Sequence, residues 1–158
     1  MRFARITAAI ILALIGNGAT AAEYRIGRIE IIAPWSRATP KGSETAIGYM
    51  TIKNDGTTPD RLVGGSADFA GSFQLHSMTM EDGVSKMRDL NGVDIAPGQT
   101  IEFKPGGSHV MFVGLKHPLS QGEHVKGTLV FQHAGTVQIE YDVQGIGAQM
   151  APHEMGHM

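Results

Sequence analysis

Short stretches of alternating apolar and polar residues, separated by Gly, Pro, Asn and Asp, run through most of this chain. Residues 72–80 and 84–90 flank Glu81-Asp82-Gly83, a pattern typical of a β-hairpin. Ala33-Pro34-Trp35 predicts the end of the first strand. Helical periodicity is not convincing in any segment, so we predict an all-β fold of eight or nine strands, arranged as an antiparallel sandwich or a Greek-key barrel.

The first 22 residues are typical of a secretory signal peptide. Arg2 and Arg5 precede an apolar run over residues 6–15, and Ala19 and Ala21 supply the small residues of a cleavage site. This run is too short to span a bilayer, and no other segment is long and apolar enough, so we expect no stable membrane insertion. We predict export to the periplasm, a β-domain over residues 23–144 and a flexible tail over residues 145–158.

Composition excludes several classes of function. The chain has no Cys, which rules out disulfides, thiolate zinc sites, iron–sulfur clusters and the usual blue-copper electron-transfer site. Beyond residue 22 it carries 11 basic and 15 acidic side chains without a basic patch, so nucleic acid is not an expected partner. No nucleophile elbow, HExxH motif or paired carboxylates stand out, and we predict that the protein is not an enzyme.

The chain is rich in His (7) and Met (9), and four of these residues fall on predicted strand faces. His109 and Met111 are two residues apart, so one strand presents both on the same face. With a two-residue turn at its tip, the hairpin places Met87 diagonal to His76. One surface therefore offers His76 and Met87 and another offers His109 and Met111. The alternative is a strand that packs Met in the core beside ordinary histidines.

Two imidazoles and two thioethers are an unusual donor set. The Met sulfur is neutral and soft, so it suits neither Ca²⁺ and Mg²⁺, which prefer oxygen, nor Zn²⁺, which takes Cys, His and carboxylate. Copper(I) accepts both thioether and imidazole. Met78, opposite Met87 in the predicted hairpin, shares this face, but we expect it to line the site rather than to bind metal.

The spacing of these donors is also distinctive. Ten residues separate His76 from Met87, twenty-one separate Met87 from His109, and one separates His109 from Met111. In this order and spacing the chain resembles the periplasmic copper chaperones of the PCuAC type, and the resemblance covers roughly residues 29–143. Further matching stretches are Pro34-Trp35-Ser36-Arg37-Ala38, Gly48-Tyr49-Met50, Lys86-Met87-Arg88 and Lys104-Pro105-Gly106-Gly107.

The resemblance implies a cupredoxin-like β-barrel that holds one Cu(I) near its surface through His76, Met87, His109 and Met111. It also implies delivery of copper across the periplasm to the CuA centre of cytochrome c oxidase, with subunit II of the oxidase or another copper chaperone as the acceptor. Copper storage or detoxification is the alternative function.

Some members of this family carry a His/Met-rich C-terminal extension that handles copper, including Cu(II). The tail of this chain is similar, and two His side chains together with backbone nitrogen could coordinate Cu(II) there. Its candidate donors are Met150, His153, Met155, His157 and Met158.

Overall fold

The computed structural model describes residues 21–151, and within this range it contains strands and no helix. The all-β prediction is therefore confirmed, although eleven strands form rather than eight or nine. No helix long and apolar enough to cross a membrane occurs among these residues. The strands are β1 (Glu23–Ile26), β2 (Ile29–Arg37), β3 (Thr45–Asn54), β4 (Asp60–Ala67), β5 (Ala70–Glu81), β6 (Val84–Leu90), β7 (Val93–Ile95), β8 (Thr100–Phe103), β9 (His109–Leu115), β10 (His124–Phe131) and β11 (Gly135–Gln144).

The strands form one sheet in the order β6-β5-β9-β3-β2-β11-β10-β4-β7, while β1 pairs with β2 and β8 pairs with β3. All ladders are antiparallel except that between β2 and β11, so the expectation of a purely antiparallel sheet is wrong at this pair. The sheet curls until β4 approaches β5. A Cβ added to Gly65 would meet the backbone oxygen of Thr128 on β10 at 2.3 Å and the Phe73 ring on β5 at 2.9 Å, which explains the absence of a side chain at this seam.

The predicted strand break at Ala33-Pro34-Trp35 does not occur. Strand β2 continues through it, and the register with β3 shifts between Ile32 and Trp35, as at a β-bulge. Ala33 has a φ of 49° and donates its backbone N–H to the carbonyl of Ala22 at 2.7 Å. Proline cannot donate to a ladder but is tolerated at a bulge, so the sequence signal marks an irregularity rather than an end.

Core packing decides which face each residue of β9 occupies. Val110 and Phe112 are fully buried in the main hydrophobic cluster, where the Phe112 ring packs edge-on against Phe69 and Tyr141. Successive side chains of a strand point to opposite faces. His109 and Met111 must therefore lie on the outer face of the sheet.

The beginning of the C-terminal tail packs against this outer face. Arg37 donates from Nε to the carbonyl oxygen of Ala148 at 2.6 Å. Ala151 is buried in a second cluster with Trp35 and Tyr49, whose ring centroids are 4.6 Å apart. The sequence predicted a tail that packs against no hydrophobic core. In the structure, however, Ala151 packs against the aromatic pair. Residues 152–158, with the tail donors His153, Met155, His157 and Met158, lie outside the described residues, as do residues 1–20 of the predicted signal peptide.

Asp60, at the start of β4, ties this strand to the turn between β10 and β11. Its carboxylate accepts hydrogen bonds from the backbone N–H groups of Arg61 (2.7 Å), His133 (3.0 Å) and Ala134 (2.9 Å). Burial alone raises the pKa of Asp60, but the three N–H donors outweigh it and hold the pKa below its usual value. The ionised carboxylate is therefore part of the folded structure.

We expect Asp60→Asn to lower the free energy of unfolding by about 2 kcal/mol at pH 7, because the acceptor loses its charge and an amide nitrogen cannot accept the hydrogen bond from Ala134. The folded-state pKa lies below the unfolded value, so the contribution is present above roughly pH 4 and is lost as the pH falls through the folded pKa. Urea denaturation at pH 7 and pH 3 should show the difference between wild type and variant shrinking at pH 3.

Asp94→Asn is the matched control, because the Asp94 side chain is solvent-exposed and pairs with Arg61 at the surface. Exposed ion pairs contribute little, so this variant should unfold almost like the wild type. Equal effects of the two substitutions at pH 7 would contradict the role given to Asp60.

Candidate metal centre

The β5–β6 hairpin forms with the register that the sequence predicted. Asp82 and Gly83 both have positive φ, 52° and 77°, as a tight two-residue turn requires. The turn sets Met78 directly opposite Met87. Cross-strand partners point to the same side, so Met87 lies on the face that carries His76.

Strand β9 is hydrogen-bonded directly to β5, on the side away from β6. His76 lies opposite His109, and Gln74 lies opposite Met111. The prediction that the two pairs of donors lie on separate surfaces is wrong. His76, Met87, His109 and Met111 occupy one continuous face of three adjacent strands.

Three of the four side chains lie close together, and the fourth is a neighbour in the strand register. The Nδ1 atom of His76 is 3.1 Å from the Sδ atom of Met87, and the ring centroids of His76 and His109 are 5.5 Å apart, edge to face. Met111 is the diagonal neighbour of His76 across the β5–β9 ladder, a separation that a long thioether side chain can bridge.

Each imidazole has one nitrogen engaged by an oxygen acceptor. The Nε2 atom of His76 lies 2.9 Å from Oδ1 of Asp89 and 3.1 Å from Oε1 of Gln74. The Nδ1 atom of His109 lies 3.1 Å from the carbonyl oxygen of Gly107. If these nitrogens carry the protons, Nδ1 of His76 and Nε2 of His109 keep free lone pairs. Metal-binding histidines are oriented in this manner by an oxygen acceptor at the second nitrogen.

The second nitrogen of His109 is the most informative atom of the group. Nε2 of His109 is buried and has no hydrogen-bond partner among the described residues. A buried polar atom without a partner costs about 1–3 kcal/mol. Such an atom is explained when a ligand outside the chain satisfies it, and it has the lone pair that a metal ion needs.

Burial differs strongly across the group. His109 and His76 are only 2% and 5% exposed, whereas Met87, on edge strand β6, is 48% exposed. Burial lowers the pKa of His109, the Gly107 carbonyl raises it, and the charge of His76 lowers it again, with a net result below the usual value. The imidazole of His109 is thus held in the neutral form that binds metal.

Sequence reasoning did not identify Asp89 and Gln74, which contact His76. Both could have been found from strand parity, since Asp89 follows Met87 by two residues and Gln74 precedes His76 by two. Among residues 21–151 no three His, Asp or Glu side chains come together as metal ligands. The donors on this face are two neutral nitrogens and two thioethers, a set suited to a soft monovalent ion.

Met150, the one tail donor that the structure describes, lies elsewhere. It lines a small cleft with Trp35, Met50 and Lys104. None of the four donors of the main group lines this cleft. Met150 and the four donors therefore do not line a common cleft in this structure.

Comparison with known proteins agrees with this architecture. A protein of Leifsonia xyli subsp. xyli (strain CTCB07), named "Putative lipoprotein Lxx21020", is 32% identical over 117 residues, which cover 73% of this chain and 69% of the relative. The solved structure of the copper-bound PCuAC domain from PmoF2 is 32% identical with a TM-score of 0.69, covering 78% of this chain and 98% of that domain. The Cu(I) form of DR1885 from Deinococcus radiodurans is 28% identical with a TM-score of 0.57, covering 84% of this chain and 85% of that protein.

The family match extends over nearly all of the β-domain. Residues 29–143 match the protein family described as "Putative lipoprotein LpqE-like". The likeness to PCuAC domains confirms the cupredoxin-like β fold that the sequence resemblance implied. The chain therefore belongs to the LpqE-like family, and its resemblance to the PCuAC-type copper chaperones is confirmed.

Proposed function

We propose that this protein is a periplasmic copper metallochaperone that binds one Cu(I) through His76, Met87, His109 and Met111. The single observation that carries the proposal is the buried Nε2 atom of His109, which has no partner on the described part of the chain and belongs to the face that carries the other three donors. A cuprous ion would satisfy this atom.

Similar proteins support the choice of metal. The PmoF2 domain is described as copper-bound and the DR1885 structure as a Cu(I) form, and both align with most of this chain. The donor chemistry leads to the same metal, because thioethers are poor ligands for Zn²⁺, Mg²⁺ and Ca²⁺ and good ligands for Cu(I). Binding without catalytic turnover accounts for the donor group.

The arrangement of the donors suits copper transfer. His109 is deeply buried and would be the last ligand to leave, whereas Met87 is half exposed on an edge strand and would leave first. A partner could then supply its own ligands one at a time while the copper stays monovalent. Neutral thioethers bind more weakly than thiolates and favour such exchange.

The signal-peptide pattern of residues 1–22 and the lipoprotein name of the Leifsonia relative both support export, which we take to be to the periplasm. In that compartment the CuA centre of cytochrome c oxidase is the proposed destination, reached through subunit II or another copper chaperone. Storage or detoxification remains the alternative. The tail donors, from Met150 to Met158, are a proposed secondary site for copper, including Cu(II).

Removing donors should weaken Cu(I) binding in proportion to their role. We expect His109→Ala to lower the Cu(I) affinity by about 100-fold or more. The loss of an outer-shell partner alone typically lowers metal affinity by about 10–100-fold. Met111→Leu keeps the side-chain volume but removes the sulfur, and we expect it to lower the Cu(I) affinity by about tenfold or more. Anaerobic competition of the mature protein against bathocuproine disulfonate measures both.

His117→Ala is the matched control, because His117 is an exposed histidine outside the donor group. It should bind Cu(I) with wild-type affinity. Unchanged affinity in both His109→Ala and Met111→Leu, with circular dichroism showing folded protein, would exclude the proposed site.

Asp89 should act on copper only through His76. Asp89→Ala removes the carboxylate beside Nε2 and should weaken Cu(I) binding by about tenfold, at the low end for an outer-shell partner because Asp89 is exposed. Asp89→Asn keeps an oxygen acceptor and should restore most of the affinity. The same competition titration tests both, and an Ala variant that equals the wild type would contradict the contact.

Delivery and storage predict different phenotypes for a strain that lacks the gene. Delivery predicts loss of assembled CuA and of oxidase activity at low copper, with recovery when copper is added. Storage predicts sensitivity to high copper with normal oxidase at low copper. Oxidase activity and growth over a range of copper concentrations decide between the two functions.

A further inference from the structure

The tip of the β5–β6 hairpin carries three methionines on one face. Met78 and Met87 are direct cross-strand partners, and Met80 is two residues beyond Met78 on the same strand. Residues two apart on a strand share a face, so the three thioethers occupy three corners of one cross-strand square. The fourth corner is Ser85, the partner of Met80.

These methionines are not explained by packing. Met80 is 71% exposed and Met87 is 48% exposed, and β6 is an edge strand whose residues are nearly all exposed. The hydrophobic clusters of the described residues do not include Met78, Met80 or Met87. Met78 is half-buried, so the three methionines form one largely exposed apolar group, and contiguous exposed apolar groups mark binding sites.

The opposite face of the same hairpin carries charged side chains, as is usual for a solvent-exposed surface. Glu81 accepts from Lys86 at 2.7 Å and also from Arg88. Near the tip, the charged side chains thus lie on one face together with exposed Val84, and the three thioethers lie on the other. This separation indicates that the methionine face has a specific role and is not an arbitrary solvent-exposed surface.

We propose that Met78, Met80 and Met87 form a second, weaker Cu(I) site through which copper reaches and leaves the main centre. This inference rests on the proposed function. Three neutral thioethers suit Cu(I) and have no proton to lose on binding, while exposure keeps the ion open to incoming ligands.

Met87 is the donor that the two sites share. Its Sδ atom is 3.1 Å from Nδ1 of His76, so a cuprous ion held by Met87 at the tip is adjacent to the first imidazole of the main centre. Passage inward exchanges the Met78 and Met80 sulfurs for His76, His109 and Met111. Two steps each replace one thioether by a new donor, a third step adds the remaining donor, and copper remains Cu(I) without any electron transfer.

The test uses Met78→Leu/Met80→Leu, which keeps the apolar volume and removes two sulfurs at positions outside the main donor set. Competition titration should show the affinity of the tight site unchanged within about twofold. Stopped-flow transfer of Cu(I) to excess bathocuproine disulfonate should slow by about fivefold or more, because changes in related complexes fall mainly on dissociation rates.

Two rescue variants test whether the thioether must lie on the methionine face of the hairpin. In the Met80→Leu background, Ser85→Met returns a thioether to the same face, since Ser85 is the direct partner of Met80. Val84→Met returns it to the opposite face. We expect the first substitution to restore the transfer rate and the second to leave it slow.

The outcomes separate the two proposals. Wild-type protein that binds no Cu(I) overturns the proposed function and this inference with it. Wild-type protein that binds Cu(I) tightly, with a double Leu variant that transfers copper at the same rate, overturns this inference alone. Equal rescue by Ser85→Met and Val84→Met also overturns it, because the face would then be irrelevant.

Discussion

The antiparallel pairing of β5 with β9 is the constraint on which the candidate centre depends. It places His76 opposite His109 and, through the hairpin, brings Met87 beside them. A slip of one residue in this pairing would put the donors of β9 on the opposite face from those of the hairpin. The register is held because Val110 and Phe112 fill the core on the inner face of β9. Core packing therefore determines the geometry of the outer donor group.

The candidate centre combines a buried, oriented imidazole with a thioether that is half exposed to solvent. His109 is buried and its Nδ1 atom is engaged by the Gly107 carbonyl, so its ring orientation is set before any ion binds. Met87 lies on an edge strand with half of its surface in solvent. Pre-organised nitrogen donors favour affinity, and exposed sulfur favours exchange. Both properties follow from the distance of each residue from the sheet edge.

The tail begins on the same outer face. Ile47 on β3 is the direct partner of Met111, and Tyr49, two residues on, pairs with Trp35. Ala151 is buried against this aromatic pair, and Arg37 holds the carbonyl of Ala148. The point from which residues 152–158 depart therefore belongs to the sheet face that carries the donors.

The sequence by itself determined the all-β class and the hairpin register, and it singled out the four candidate donor positions, because strand parity and a two-residue turn are local properties. It also determined the soft chemistry of the donor set. Only the tertiary structure decided that β9 pairs with β5, that β2 runs parallel to β11 and that Ala151 finds a buried position. Asp89 and Gln74 beside His76 became visible in the same way. Pairing between distant strands depends on which side chains fill the shared core, and no local pattern encodes that choice.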